Sequence, residues 1–146
     1  MAPAVINSFD GDYEFLSNFY QSKFLIFGTE FPTVEHFFQA TKTNNPVEFA
    51  RVLAAPTPGQ AKRLGRKVTL REDWPIAKIQ VMFQGLLAKF ACNPNLMLAL
   101  KSTGNAKLIE GNNWHDNYWG DCSCPRCCGN PGLNVLGGLL TKIRSI

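Results

Sequence analysis

Four helix-start signals fall between residues 33 and 75, and their spacing confines the first half of the chain to short helices followed by one long one. Thr33 is placed to cap a helix from Val34 to about Thr43, with Val34, Phe37, Phe38 and Thr41 on one apolar stripe and Glu35, Gln39 and Lys42 on another. Asn45-Pro46-Val47-Glu48 joins a capping residue, a proline at the first helical position and an acid in the first turn, and Pro56 limits the helix it opens. Thr57-Pro58-Gly59-Gln60 repeats the signal for a short helix closing near Gly65. Asp73 and Pro75 introduce the longest helix, on which Ile76, Ile79, Phe83, Leu86, Leu87 and Phe90 are expected to form one buried face before Asn93-Pro94.

Outside this block the pattern is more mixed. Lys23 to Phe31 reads as one or two short strands with a turn at Gly28. Pro94 to Leu100 predicts a further short helix ended by Gly104, and Ala106 to Glu110 a strand. The last helix carries Leu136, Leu139, Leu140 and Ile143 on one face. Between them, Gly111 to Gly132 shows no regular pattern, and so long an irregular segment is expected to be a functional loop. No linker or repeat divides the chain, so one compact unit over residues 1–146 is expected.

Composition narrows the class. Hydrophobic residues are 45% and charged residues 18% of 146, a globular balance that excludes a disordered chain. No apolar run reaches the length of a membrane span, and the start of the chain lacks a secretory pattern, so no membrane partner and a cytoplasmic location are expected. A net charge of +4 favours anionic ligands without establishing nucleic-acid binding. The most basic stretch, Lys62, Arg63, Arg66, Lys67 and Arg71, is a candidate phosphate dock.

Four places carry residues suited to chemistry. Glu35, Gln39 and Lys42 line one strip with a carboxylate, an amide and an amine, which spacing alone leaves open as a ligand strip or a solvated helix face. Asn117-Tyr118-Trp119-Gly120-Asp121 puts stackable rings beside a glycine and an acid; its alternative is a turn with Trp119 in the core and Asp121 capping an amide. Gly132 to Gly138 combines glycines with the start of the last helix, whose first amides are candidates to cradle phosphate. The run Cys122-Ser123-Cys124-Pro125-Arg126-Cys127-Cys128 contains one C-x-x-C pair. A second pair is missing, so reduced loop thiols with no metal are the first expectation. The second is a zinc site in which Cys122 and either Cys128 or His115 complete Cys124 and Cys127.

Five motifs in order resemble the NADAR family, also called YbiA-like: Leu16-Ser17-Asn18-Phe19, Thr33-Val34-Glu35-His36-Phe37-Phe38-Gln39-Ala40-Thr41-Lys42, Ala61-Lys62-Arg63-Leu64-Gly65-Arg66, Tyr118-Trp119-Gly120-Asp121 and Asn134-Val135-Leu136-Gly137. The resemblance runs from about Phe9 to Arg144. It implies a single, mainly helical α+β domain with a few short strands, and an N-glycosidase that needs no cofactor. The activity it implies is cleavage of a ribose–nitrogen bond, in phosphorylated riboflavin-biosynthesis intermediates or in ADP-ribose attached to guanine. The basic stretch from Lys62 to Arg71 and the helix start near Asn134 suit a diphosphate and put ADP-ribose on guanine of DNA or RNA first. Carried over by position, Glu35, Lys42, Trp119 and Asp121 are the candidates for chemistry, and Asn18, Phe19, His36, Phe38, Gln39, Arg66, Gly120, Asn134 and Gly137 for substrate binding. The chain departs from the family's pattern where many relatives have a glycine-rich stretch and this one has Cys122 to Cys128. A rival of another class is a non-catalytic domain that binds ADP-ribose or nucleic acid and is stabilised by zinc on those cysteines.

Overall fold

The computed structural model describes residues 2–146 as two compact units: Asn18–Asn93, here the helical unit, and a terminal unit made of the chain up to Ser17 together with Pro94–Ile146. Helices dominate both, and the strands are short, giving the mainly helical α+β class expected. No helix among the described residues is long and apolar enough to cross a membrane.

In the helical unit, β2 (Phe24–Ile26) and β3 (Thr29–Phe31) form an antiparallel hairpin closed by Phe27 and Gly28, both in the left-handed region at φ 51° and 78°. Two successive positive φ values match the twist of a two-residue hairpin. The hairpin turns Phe24 and Phe31 inward, where their rings stack at 6.0 Å and both meet Phe37 edge-on. Each such buried ring contributes roughly 1.5–3 kcal/mol, so this trio anchors the unit.

Phe37 lies on α1 (Val34–Ala40), all seven residues of which are buried. Gly85 lets this helix come close to α4 (Trp74–Cys92), because a methyl group there would run into the Phe37 ring at 2.7 Å. Between them in sequence are α2 (Pro46–Leu53) and α3 (Pro58–Gly65), started where the capping signals place them. Asn45 Oδ1 accepts from the amides of Val47 and Glu48, and Thr57 Oγ1 accepts from Gln60 N.

Two expectations need correction here. Helix α1 stops at Ala40, so Lys42 lies just past its C-cap, Thr41. The buried face of α4 is only partly the one expected: Leu86 and Phe90 are inside, but Ile76 is 88% exposed and Ile79 43%, and Trp74, Val81, Met82, Gly85 and Lys89 complete the buried face. Lys89 and Gly85 hide this stripe in the sequence: Lys89 is fully buried with Nζ over the Tyr20 and Phe90 rings, and Gly85 makes room for Phe37.

The terminal unit is built on three parallel or helical pairings. The strand β1 (Val5–Ile6) pairs in parallel with β4 (Lys107–Leu108), and a 3₁₀ helix follows at Gly11–Leu16. The helix α5 (Pro94–Ser102) packs on α6 (Val135–Arg144), whose Leu136, Leu139, Leu140 and Ile143 are all buried as expected. Arg144 donates to Thr103 Oγ1 and to the carbonyl of Ala106, fastening the end of α6 to the turn after α5.

The segment expected to be irregular does contain structure. Within it β5 (Gly111–Asn112) pairs in parallel with β6 (Asp121–Cys122), and side chains hold the rest. Asn112 Oδ1 accepts from the amides of Trp114 and Asp116, and Asp116 Oδ1 from those of Tyr118 and Trp119. Asn117 Oδ1 accepts from Cys122 N, and its Nδ2 donates to Asn130 O. Short side chains thus replace the ladder that regular structure would supply.

Candidate functional site

The helical unit assembles a polar strip around α1. The Thr33 hydroxyl accepts from His36 N, and it lies 2.7 Å from His36 Nδ1. His36 Nε2 is 2.9 Å from the carbonyl of Ala55, which can only accept, so Nε2 donates there while Nδ1 pairs with the Thr33 hydroxyl. Both ring nitrogens are therefore engaged, and His36, read from the sequence as a substrate contact, fastens α1 to the end of α2.

One turn on, Gln39 Nε2 donates to Glu35 Oε1 at 2.8 Å, and both side chains are buried. The expected alternative of a solvated face is ruled out by that burial. Gly65 makes the seat for Gln39, because a Cβ at that position would strike its Oε1. That oxygen and Asn18 Oδ1 are buried acceptors with no donor among the described residues. An unsatisfied buried acceptor costs about 1–3 kcal/mol, and such sites are where a ligand hydroxyl or amide gains most. Asn18 is held nearby: its carbonyl accepts from Glu35 N, and its Nδ2 lies 3.4 Å from Met82 Sδ.

Lys42 is half-buried, with Nζ 5.7 Å from the centroid of the Phe38 ring, which itself packs against Trp74 at 5.0 Å. Burial holds its pKa below the ordinary lysine value. The Glu35 carboxylate works against that shift, and the Arg66 and Lys62 cations add to it. Glu35, Lys62 and Arg66 are thus electrostatic neighbours of one amine. Arg66 is exposed, as the C-cap of α3, and Phe19 is 43% exposed. Arg71, counted with the basic stretch in the sequence, is instead paired with Asp73 through Nε at 2.6 Å and Nη2 at 2.7 Å, and it also donates to Thr41 O. Arg71 therefore anchors the turn before α4.

In the terminal unit, Trp119 meets Tyr118 edge-on at 4.8 Å. Asp121 lines a cleft with Asn7, Ser8, Asn112, Trp114 and Ser123, and its Oδ1 accepts from Gly132 N at 2.9 Å. Gly120 is required by packing, since a Cβ would collide with Glu110 Oε2 and the Glu110 carbonyl. Asn134 stands at φ 51°, and its amide is used on both sides: Oδ1 accepts from Glu110 N, and Nδ2 donates to Leu108 O.

The start of α6 is not a phosphate cradle. The amides of Leu133, Asn134, Val135 and Leu136 donate to the carbonyls of Asn117, Gly120, Tyr118 and Trp119. The donors that a helix start usually leaves open are consumed by the aromatic loop. Gly137 serves the same junction, because a side chain there would meet Leu108 O.

The cysteine run turns out differently from a four-cysteine set. The ligand atoms of His115, Cys122, Cys124 and Cys127 all lie within 4.8 Å of one another, whereas Cys128 is exposed and outside the group. Of the two completions open in the sequence, the structure brings His115 and not Cys128 beside Cys122, Cys124 and Cys127.

The catalytic candidates thus fall into two sets, Glu35 and Lys42 in the helical unit and Trp119 and Asp121 in the terminal unit. What sequence reasoning missed is the role of Gly65, Gly85 and Lys89, whose importance depends on which atoms stand opposite them. Residues 7–146 match the NADAR domain. The chain belongs to the NADAR family. It is 36% identical over 148 residues to N-glycosidase YbiA of Shigella flexneri, covering 99% of this chain and 89% of that protein. It is also 36% identical over 126 residues to a chloroplastic riboflavin biosynthesis protein of Zea mays, covering 78% of this chain and 19% of that one. The NMR structure of Escherichia coli YbiA is similar at a TM-score of 0.83 and 34% identity, covering 99% of this chain and 85% of that one. Membership makes the chain a hydrolase of N-glycosyl compounds.

Proposed function

We propose that the chain cleaves the ribose–nitrogen bond of ADP-ribosylated guanine in nucleic acid, with Lys42 as nucleophile. The observation that carries this reading is an amine seated on the Phe38 ring, its pKa lowered by burial, with Glu35, Arg66 and Lys62 as its charged neighbours. Desolvation keeps a fraction of the amine neutral, the form that can attack carbon. Lys62 and Arg66 are suited to a diphosphate, and the buried Asn18 Oδ1 and Gln39 Oε1 to ribose hydroxyls.

In the proposed sequence the ribose ring opens first, breaking C1–O4 as O4 takes a proton and the base nitrogen forms an iminium with C1. Lys42 Nζ adds to C1. The C1–N bond to the base then breaks, and the base leaves with a proton from Nζ. Water adds to the lysine Schiff base, releasing the sugar aldehyde and the free amine. Glu35, held by Gln39, is the group that moves these protons. In the competing route Glu35 or Asp121 activates water against an oxocarbenium-like carbon, and no lysine adduct forms.

A second substrate, a phosphorylated riboflavin intermediate, is favoured by the name of the Zea mays relative, and its phosphate would use the same cations. The test is to offer purified protein an ADP-ribosylated guanine oligonucleotide and a phosphorylated riboflavin intermediate, with and without borohydride, and to identify products and adducts by mass spectrometry. Release of ADP-ribose with a reduced adduct on Lys42 is expected. Release without an adduct overturns the lysine route, activity on the riboflavin intermediate alone overturns the guanine assignment, and failure on both overturns the reading.

A further inference from the structure

We propose that His115, Cys122, Cys124 and Cys127 hold one structural zinc ion that locks the loop carrying Trp119, Gly120 and Asp121. Their four ligand atoms lie within 4.8 Å of one another, and His115 Nδ1 is 2.9 Å from Cys124 Sγ and 3.7 Å from Cys127 Sγ. With zinc bonds of about 2.3 Å to sulfur and about 2.0 Å to nitrogen, a tetrahedral site separates neighbouring ligand atoms by roughly 3.5–3.8 Å. The observed separations bracket that range, so small side-chain adjustments close the site around an ion.

The surroundings suit thiolates. Cys122 Sγ accepts from the amides of His115 at 3.2 Å and Cys124 at 3.4 Å, donors that support a negative sulfur bound to metal. A turn closed by Cys127 N on Cys124 O brings those two cysteines to the same side, the usual work of a C-x-x-C pair around zinc. Cys122 and Cys124 are buried, Cys127 is half-buried and His115 is exposed, so the site sits at the edge of the loop with two of its ligands inside. Four protein ligands leave no open position, so the ion is structural. Binding it releases the thiol protons, and three thiolates with Zn²⁺ and a neutral imidazole leave a net single negative charge.

The ligands flank residues 116–121 in sequence, His115 on one side and the three cysteines on the other. Zinc therefore fixes both ends of the stretch whose carbonyls receive the first amides of α6. The inference does not depend on the glycosidase reading, because metal content is read without substrate.

The experiment measures zinc in the full chain purified under reductant, and the spectrum after replacement by Co²⁺. About one zinc per chain and thiolate-to-cobalt charge-transfer absorption are expected. Cys124→Ser and Cys127→Ser should bind at least tenfold less zinc, while Cys128→Ser and Cys92→Ser retain it. Because a ligand variant can fail to fold, thiols are also counted in the unaltered protein. Cys92 and Cys128 should react at once and the other three only after a chelator is added, which should also speed amide exchange at 116–121 at least tenfold. A zinc-free chain that gives no cobalt spectrum, retention of zinc in Cys127→Ser, or its loss in Cys128→Ser would overturn the site. Exchange at 116–121 that a chelator leaves unchanged would overturn the locking role.

Discussion

The strip around α1 and the loop from Asn112 to Cys122 are both rich in polar side chains, but they use them in opposite ways. In the strip, regular helix satisfies the backbone of Glu35 and Gln39, whose side chains meet each other, Glu35 acts on Lys42 just past the helix end, and buried acceptors remain at Asn18 and Gln39. In the loop, Asn112, Asp116 and Asn117 are consumed by backbone amides. The strip stores electrostatic energy and the loop stores shape. Perturbing the first should therefore alter chemistry, and perturbing the second should alter positioning.

The largest expected effect is at Lys42. Lys42→Met should slow base release on the order of 10³-fold with the fold retained, as single-turnover kinetics and circular dichroism would check. If the loss is under tenfold, the division between chemical strip and shaping loop fails. The pH profile sharpens the same point. Activity should rise as pH passes upward through the Lys42 pKa; Arg66→Gln, which removes a cation that lowers that pKa, should move the rise to higher pH, and Glu35→Gln should move it to lower pH.

Next in size is Gly65→Ala. Alanine favours helix by about 1 kcal/mol, but its methyl group must displace Gln39, at a cost of roughly 1–3 kcal/mol. A net loss of stability in urea is expected, with Gln39 withdrawn from Glu35 and activity reduced. Stabilisation by this substitution would show that the seat is not tight.

Lys89 offers a pH test of the helical unit. Burial lowers its pKa from 10.5 to about 7, so between those values the unfolded chain binds the extra proton. Stability should accordingly rise with pH across that window by up to about 1.4 kcal/mol per unit, with the full penalty present below 7. Lys89→Met should remove that slope, as urea melts at pH 7, 8 and 9 would show. The smallest effect is expected at Asp116→Ala, which frees the amides of Tyr118 and Trp119 at a cost of about 1 kcal/mol and should show as faster hydrogen exchange there.

These particulars show where sequence reading reaches. Thr33, Asn45 and Thr57 announce their helices because capping is local chemistry, needing only a side-chain oxygen and amides two or three residues on. The strip at Glu35 and Gln39 was visible as spacing, but its burial depends on Gly65, 26 positions beyond Gln39. The face of α4 was misjudged because a lysine inside a core reads as surface. The start of α6 looked open, since nothing in the sequence says that carbonyls from Asn117 to Gly120 occupy its amides.

The contact between Gly132 N and Asp121 Oδ1 has a consequence for how such a chain can change over generations. It pins together the two ends of the stretch 122–131, so those residues form an excursion that leaves and returns at nearly the same point. Closing such an excursion costs little more when it lengthens, since doubling a loop adds only about 0.6 kcal/mol. Cys122, Cys124 and Cys127 tie down the first part of that excursion, so chain can be added only past Cys127, which makes residues 128–131 the natural point of insertion.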